Sequence, residues 1–263
     1  MTGHSQDFMP QAERIRRARS FASVAAEYER GRPGYPPEAI TWILGADAVA
    51  VLDVGAGTGK LTAAVLALGH PVIAVEPLAE MRTVLESRLA NARVLQGSAE
   101  ELPLGSESVD AVVVGAAFHW FEQKQALIEF ARVLRPPGVL GLLGNSFDMS
   151  VPWQAELRQI LGPATLGRRR RWPEPGRLQR TFEQVDDREF SHVQPITLAQ
   201  LRDYASSRSG FAVLPAWIRE QRLEEIDSLW ERTPALRDAP DAELRWITTV
   251  RRCAGLANAR PLR

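Results

Sequence analysis

The chain has 263 residues, with 32 basic side chains balanced by 32 acidic ones, 45% apolar residues and 24% charged. This composition suits one large domain, or a core domain with an appended cap, and excludes wholesale disorder. Balanced charge argues against a dedicated nucleic-acid partner, which needs a basic surplus. Cys253, the only cysteine, forms no internal disulfide and builds no thiolate metal site. Met1 to Ser20 is polar and Arg-rich, lacking the apolar run of a signal peptide or membrane span, so a cytoplasmic protein with no membrane partner is expected. Only Lys60 and Lys124 are lysines; with the Ala, Gly, Pro and Arg richness this reads as a GC-rich bacterial genome.

Gln11 to Tyr28 spaces Ile15, Phe21, Val24, Ala25 and Tyr28 as a helix, ended by Gly31-Arg32-Pro33-Gly34-Tyr35-Pro36-Pro37. A short helix follows from Pro37 to Leu44. Strands are then predicted from Val49 to Val54, Pro71 to Glu76, Arg93 to Gln96, Val109 to Gly115 and Val139 to Leu143. Helices separate them at Leu61–Leu68, Leu78–Asn91 and Lys124–Leu134. Nearly continuous apolar strands alternating with helices indicate a parallel sheet covered on both faces, a doubly wound α/β fold. Past Asn145 the alternation fails. Helices are expected at Trp153–Leu161, Leu198–Ser207 and Pro215–Trp230, a loop at Gly162–Gly176, and strands at Arg188–Ile196 and Glu243–Cys253, for seven strands in all.

The most informative block is Leu52-Asp53-Val54-Gly55-Ala56-Gly57-Thr58-Gly59-Lys60-Leu61-Thr62. Glycines after a first strand let backbone approach a ligand at the carboxyl edge of a parallel sheet. A dinucleotide fingerprint needs G-x-G-x-x-G, but here Lys60 stands where the third glycine belongs, and the phosphate-loop pattern fails at Leu61. Glu76 closes the second strand about 20 residues beyond the loop, where a carboxylate accepts hydrogen bonds from both ribose hydroxyls and repels a 2′-phosphate. Together these features point to an adenosine ligand without a pyrophosphate.

Asp53-Val54-Gly55-Ala56-Gly57-Thr58-Gly59 followed by Val75-Glu76-Pro77 resembles the class I S-adenosylmethionine-dependent methyltransferases. Gly97-Ser98-Ala99-Glu100-Glu101-Leu102-Pro103-Leu104, Val109 to Phe121, and Arg132-Val133-Leu134-Arg135-Pro136-Pro137-Gly138 resemble that family's later motifs in order. The Tyr28…Arg32-Pro33-Gly34-Tyr35 segment and Phe118-His119-Trp120-Phe121 look like the small-molecule branch related to trans-aconitate and quinone-pathway enzymes. The resemblance implies a Rossmann-like, seven-stranded, mostly parallel sheet. It places an N-terminal helical lid at 1–45, a cofactor-binding core at 46–147, a cap with a sixth strand at 148–242, and the last strand with its tail at 243–263.

The same resemblance implies S-adenosyl-L-methionine as cofactor and S-adenosyl-L-homocysteine as product. Gly55, Ala56 and Gly57 would lie against the methionyl part, Asp53 would reach its ammonium, and Glu76, with Pro77 beside it, would hold the ribose. Ser98, Ala99 and Glu100 would neighbour the adenine, and Ala116 would offer backbone at the sheet edge. Met81 packs either on the adenine or in the core. Tyr28 and Tyr35 offer aromatic faces to the sulfonium and Arg32 pairs with the cofactor carboxylate, or the three pack the N-terminal helix onto the core, contact being favoured for Tyr28. His119 serves as a general base, orders its loop or binds a substrate carboxylate; Trp120, like Trp172, Trp217 and Trp230, reads more readily as core than as platform. His4, His70 and His192 share no metal-ligand spacing with His119. Arg168–Arg171 is an anion site or a solvated loop. The expected function is metal-independent O- or C-methylation of a small molecule. The rivals are a non-catalytic S-adenosyl-ligand binder, a NAD-dependent oxidoreductase on a similar sheet, and a macromolecular methyltransferase.

Overall fold

The computed structural model describes residues 20–45, 49–162, 172–239 and 242–256. After a 3-10 turn at Ala22–Val24 come α1 (Ala25–Gly31) and α2 (Pro37–Leu44), with proline supplying the first turn of α2. The core then runs β1 (Val51–Val54), α3 (Lys60–Ala67), β2 (Val72–Val75), α4 (Ala79–Arg88), β3 (Arg93–Leu95), β4 (Val109–Gly115), α5 (Gln123–Val133) and β5 (Leu134–Phe147). The remainder is α6 (Pro152–Leu161), α7 (Pro175–Leu178), β6 (Phe182–Pro195), α8 (Leu198–Ser206), α9 (Ser209–Ala212), α10 (Ala216–Arg232), α11 (Pro234–Arg237) and β7 (Glu243–Leu256). No helix among the described residues is long and apolar enough to cross a membrane.

All seven strands join one sheet in the order β3-β2-β1-β4-β5-β7-β6. The first five run parallel, and β7 is antiparallel to both β5 and β6. The expected doubly wound, mostly parallel sheet is thus present. Strand order reverses between β1 and β4, and the crevice beyond the carboxyl ends of those two strands is where such sheets bind ligands.

Alternation along the strands sends side chains to two cores. Leu52, Val54, Val112, Val114, Leu140 and Leu142 pack with Leu127 and Phe130 of α5. Val51, Val113 and Leu143 pack on the other face with Ile40 and Ile43 of α2 and Leu61 and Val65 of α3. Each fully buried aliphatic side chain of this kind contributes about 1.5–3 kcal/mol relative to exposure. A third cluster unites Leu157, Leu201, Tyr204, Phe211, Ile226 and Leu229 of the cap helices with Phe147 of β5 and Trp246 of β7. The cap therefore grows from prolonged strands rather than from a separate sheet.

Several expectations are corrected here. The fifth strand begins at Leu134, not Val139, because Leu134 pairs with Val109 and the register then shifts around a cis Pro136–Pro137 bond. The sixth begins at Phe182 rather than Arg188, and the last continues to Leu256; their pairing from Phe182↔Leu256 to Pro195↔Glu243 explains both extensions. Pro175–Leu178 is helical where a loop was expected. Arg168–Arg171, His4 and the start of the first predicted helix lie outside the described residues. Of the cap tryptophans, Trp172 packs against the main core, Trp230 packs against the cap cluster, and Trp217 is exposed.

The short N-terminal helix α1 lies between α4 and α8. Gly31 makes the second contact possible: a Cβ there would stand 2.2 Å from the Tyr204 backbone nitrogen. Arg30 adds a bidentate pair to Asp203 of α8 at 2.6 and 3.1 Å.

Candidate functional site

A cavity of about 220 Å³ opens at the switch point. It is lined by the glycine loop after β1, the Glu76–Met81 turn, the loop after β4, and Phe21 and Tyr28 of the N-terminal segment. Of the residues singled out in the sequence, Tyr28, Gly55, Gly57, Glu76, Pro77, Met81 and Ala116 converge on this space.

The glycine loop is held from below, since Gly55 and Ala56 both donate backbone N–H to the Val75 carbonyl, at 2.8 and 3.2 Å. The φ of Gly59 is +87°, and a Cβ would come within 2.9 Å of Leu85 on α4 and of Leu89 just beyond it, so glycine here lets the start of α3 pack closely on the end of α4.

Glu76 is buried at 5% exposure and accepts one backbone N–H on each oxygen, from Gly57 at 2.9 Å and from Leu78 at 3.0 Å. Each carboxylate oxygen retains a further lone pair. Burial raises its pKa, with the Leu78 and Gly57 bonds and the Arg82 charge opposing that shift. Arg82 braces the turn by donating to the carbonyls of Glu76 and Pro77 at 2.9 and 2.8 Å.

Asp53 lies beneath the loop, fully buried and not in the cavity wall. Its Oδ2 accepts from the Thr62 hydroxyl at 2.6 Å, while Oδ1 has no hydrogen-bond partner. Burial pushes this carboxyl up to about 7, against the Thr62 bond and with the charge of Glu76 adding to the rise.

The other candidates stand apart from the cavity. Arg32 donates to the Ser207 hydroxyl and carbonyl at 2.9 and 3.0 Å, and its guanidinium lies 4.9 Å from the Tyr28 ring centre and 5.3 Å from that of Tyr204. It packs the N-terminal segment against the end of α8. Ala56 is not among the lining residues, and Tyr35 packs its hydroxyl against Gly115. Ser98 bridges to Glu101, Ala99 is in the core, and Glu100 accepts the Glu122 backbone N–H at 2.7 Å, tying its loop to the start of α5. That loop is clasped from α5: Glu129 accepts from Leu102 N–H, and Arg132 donates to the Leu102 and Leu104 carbonyls. His119 is exposed, its ring centre 4.6 Å from that of Trp120 at a 43° tilt, outside the cavity lining.

Sequence reasoning did not single out Phe21, Leu78, Ala117 or Phe121, all of which line the cavity. Phe21 contacts Tyr28 and Trp120 edge-on at 5.8 and 5.6 Å, so an aromatic series spans lid and core. Its seven-residue spacing from Tyr28 on a helical pattern was the available signal. Trp120 belongs to the wall as well as to the core edge. Ala116, after β4, has φ +54°, an uncommon backbone for a residue with a Cβ and the kind of local strain that concentrates at ligand sites.

Comparison with known proteins agrees with this layout. A family described as a methyltransferase domain matches residues 52–142. A Mycobacterium tuberculosis protein named an uncharacterised methyltransferase is 42% identical over 231 residues, covering 87% of this chain and 93% of the relative. A Schizosaccharomyces pombe protein, also named an uncharacterised methyltransferase, is 33% identical over 243 residues, covering 88% and 95%. Among solved structures, a candidate type II methyltransferase from Anaeromyxobacter dehalogenans shares the fold at TM-score 0.62 and 21% identity, over 86% of this chain and 99% of that one. Sequence relatives, fold and motif order together place the chain in the class I S-adenosylmethionine-dependent methyltransferases.

Proposed function

We propose that the cavity binds S-adenosylmethionine and that the enzyme methylates a small-molecule acceptor at oxygen or carbon. The observation that carries this reading is Glu76: a buried carboxylate at the switch point, with one backbone N–H on each oxygen and a lone pair left on each for a ribose hydroxyl. The buried, unpartnered Asp53 Oδ1 adds an acceptor fitted to an ammonium group, reached directly or through water. Tyr28 and Phe21 supply aromatic faces suited to a sulfonium.

Bound there, S-adenosylmethionine supplies an electrophilic methyl group. Glu76 fixes the sugar and Asp53 the amino acid end, so the reactive methyl is held by its two flanks. The rings of Phe21, Tyr28, Trp120 and Phe121 exclude water, and most of the rate then comes from positioning. His119 stands outside the cavity lining, so His119→Ala is expected to keep most of the turnover. Methyl transfer from labelled cofactor across a panel of small metabolites tests the reading. Uptake of NAD with no uptake of the S-adenosyl compound would overturn it.

Asp53 imposes a pH dependence. Its folded-state pKa is raised, so its contribution to folding is fully present at low pH and is lost as pH rises from the ordinary carboxylate range through about 7. Binding runs the other way, because the ionised form attracts the ligand's ammonium. Affinity for S-adenosylhomocysteine is expected to increase several-fold between about pH 6 and 8, and Asp53→Asn to flatten that rise; calorimetry at several pH values checks both.

A further inference from the structure

Lys60, standing where a dinucleotide loop has its third glycine, is engaged by the lid. Its Nζ lies 2.9 Å from Oε1 of Glu29 on α1, and the same oxygen is 2.9 Å from Nη2 of Arg88 at the end of α4. Arg88 also donates through Nη1 to the Thr58 carbonyl in the glycine loop at 3.0 Å. One carboxylate thus joins the lid helix to the first residue of α3, to the last of α4 and, through Arg88, to the loop under the cavity. The Glu29 and Lys60 side chains are only 17% and 22% exposed, and Glu29 Oε2 is buried without a hydrogen bond. At that depth the attraction is screened less than on open surface, and the carboxylate depends on both cations for its compensation. Glu29 also directly follows Tyr28, so the placement of this carboxylate sets where the Tyr28 ring stands.

We propose that Glu29 is a positioning residue that holds α1 closed over the cavity by clasping Lys60 and Arg88; this rests on the cavity being the S-adenosyl site. Releasing the clasp lowers the fraction of molecules with Tyr28 and Phe21 in place, and apparent Kd rises in inverse proportion. Glu29→Gln is expected to raise the Kd for S-adenosylhomocysteine about fivefold to tenfold while the thermal midpoint changes by only about 2 °C. Lys60→Met is expected to raise Kd in the same direction, and the double variant to fall well short of the product of the two effects, since both remove one interaction. Unchanged Kd in both single variants, a fall in midpoint without a change in Kd, or fully multiplicative effects would each overturn the proposal. Wild-type protein that takes up no S-adenosylhomocysteine would instead overturn the reading of the cavity, and the clasp's purpose with it.

Discussion

Glu76→Ala is expected to weaken S-adenosylhomocysteine binding at least about a hundredfold and to leave the fold intact. Each hydrogen bond from a neutral donor to a buried carboxylate is worth about 1.5–3 kcal/mol, and two ribose hydroxyls supply two. Their sum corresponds to two or more decades in Kd. Stability is spared because burial already raises the Glu76 pKa, so the folded protein bears a desolvation cost that alanine removes. The Gly57 and Leu78 N–H groups freed by the change face the cavity, where water replaces the carboxylate. Glu76→Gln keeps the shape and loses the charge, and an intermediate loss is expected. Titration calorimetry with a parallel melting curve separates binding from folding. Full affinity in the alanine variant would remove Glu76 from the site.

Gly31→Ala is expected to lower the thermal midpoint by about 5 °C and to weaken cofactor binding with it. Helix propensity alone argues the opposite, since alanine gains about 1 kcal/mol over glycine in a helix. Packing decides. The added Cβ would lie 2.2 Å from Tyr204 N, 2.6 Å from its Cα and 2.7 Å from the Asp203 carbonyl carbon, all backbone atoms that cannot rotate aside. Overpacking against backbone costs about 3 kcal/mol, so a net loss of about 2 kcal/mol remains, a few degrees for a chain of this size. Separation of α1 from α8 also strains the Arg30–Asp203 pair and the Arg32–Ser207 bonds. Gly34→Ala is the control, because a Cβ there meets nothing within 4 Å. Equal midpoints for the two variants would show that α1 docks differently.

Most of the parallel half of the sheet was legible in the sequence. Strands such as Val109–Gly115 are short apolar runs buried on both faces, and helices such as Gln123–Val133 show clear periodicity, so there pattern and structure agree within a residue, whereas the fifth strand runs several residues beyond its apolar run at each end. The antiparallel half was harder. Residues 182–187 of β6 are mostly polar and exposed, held by pairing with β7, and long-range pairing leaves no local mark. The site divided along the same line. Gly55, Gly57 and Glu76 reach the cavity wall by backbone spacing and strand register, which a sequence displays. For Arg32, Glu100 and His119, where the side chain points depends on partners the motifs do not name: Ser207 for Arg32, the Glu122 N–H for Glu100, and the neighbouring Trp120 ring for His119. Lys60 looked like a departure from a fingerprint until Glu29, about 30 residues away, gave it a partner.

A crystal structure of the protein with S-adenosylhomocysteine bound tests the central claim most directly. The expected result is the nucleoside in the switch-point cavity, with the two ribose hydroxyls each within about 2.5–3.0 Å of a different Glu76 oxygen and the thioether sulfur beside the Tyr28 ring. A nucleoside seated elsewhere, or a ribose turned away from Glu76, would contradict it.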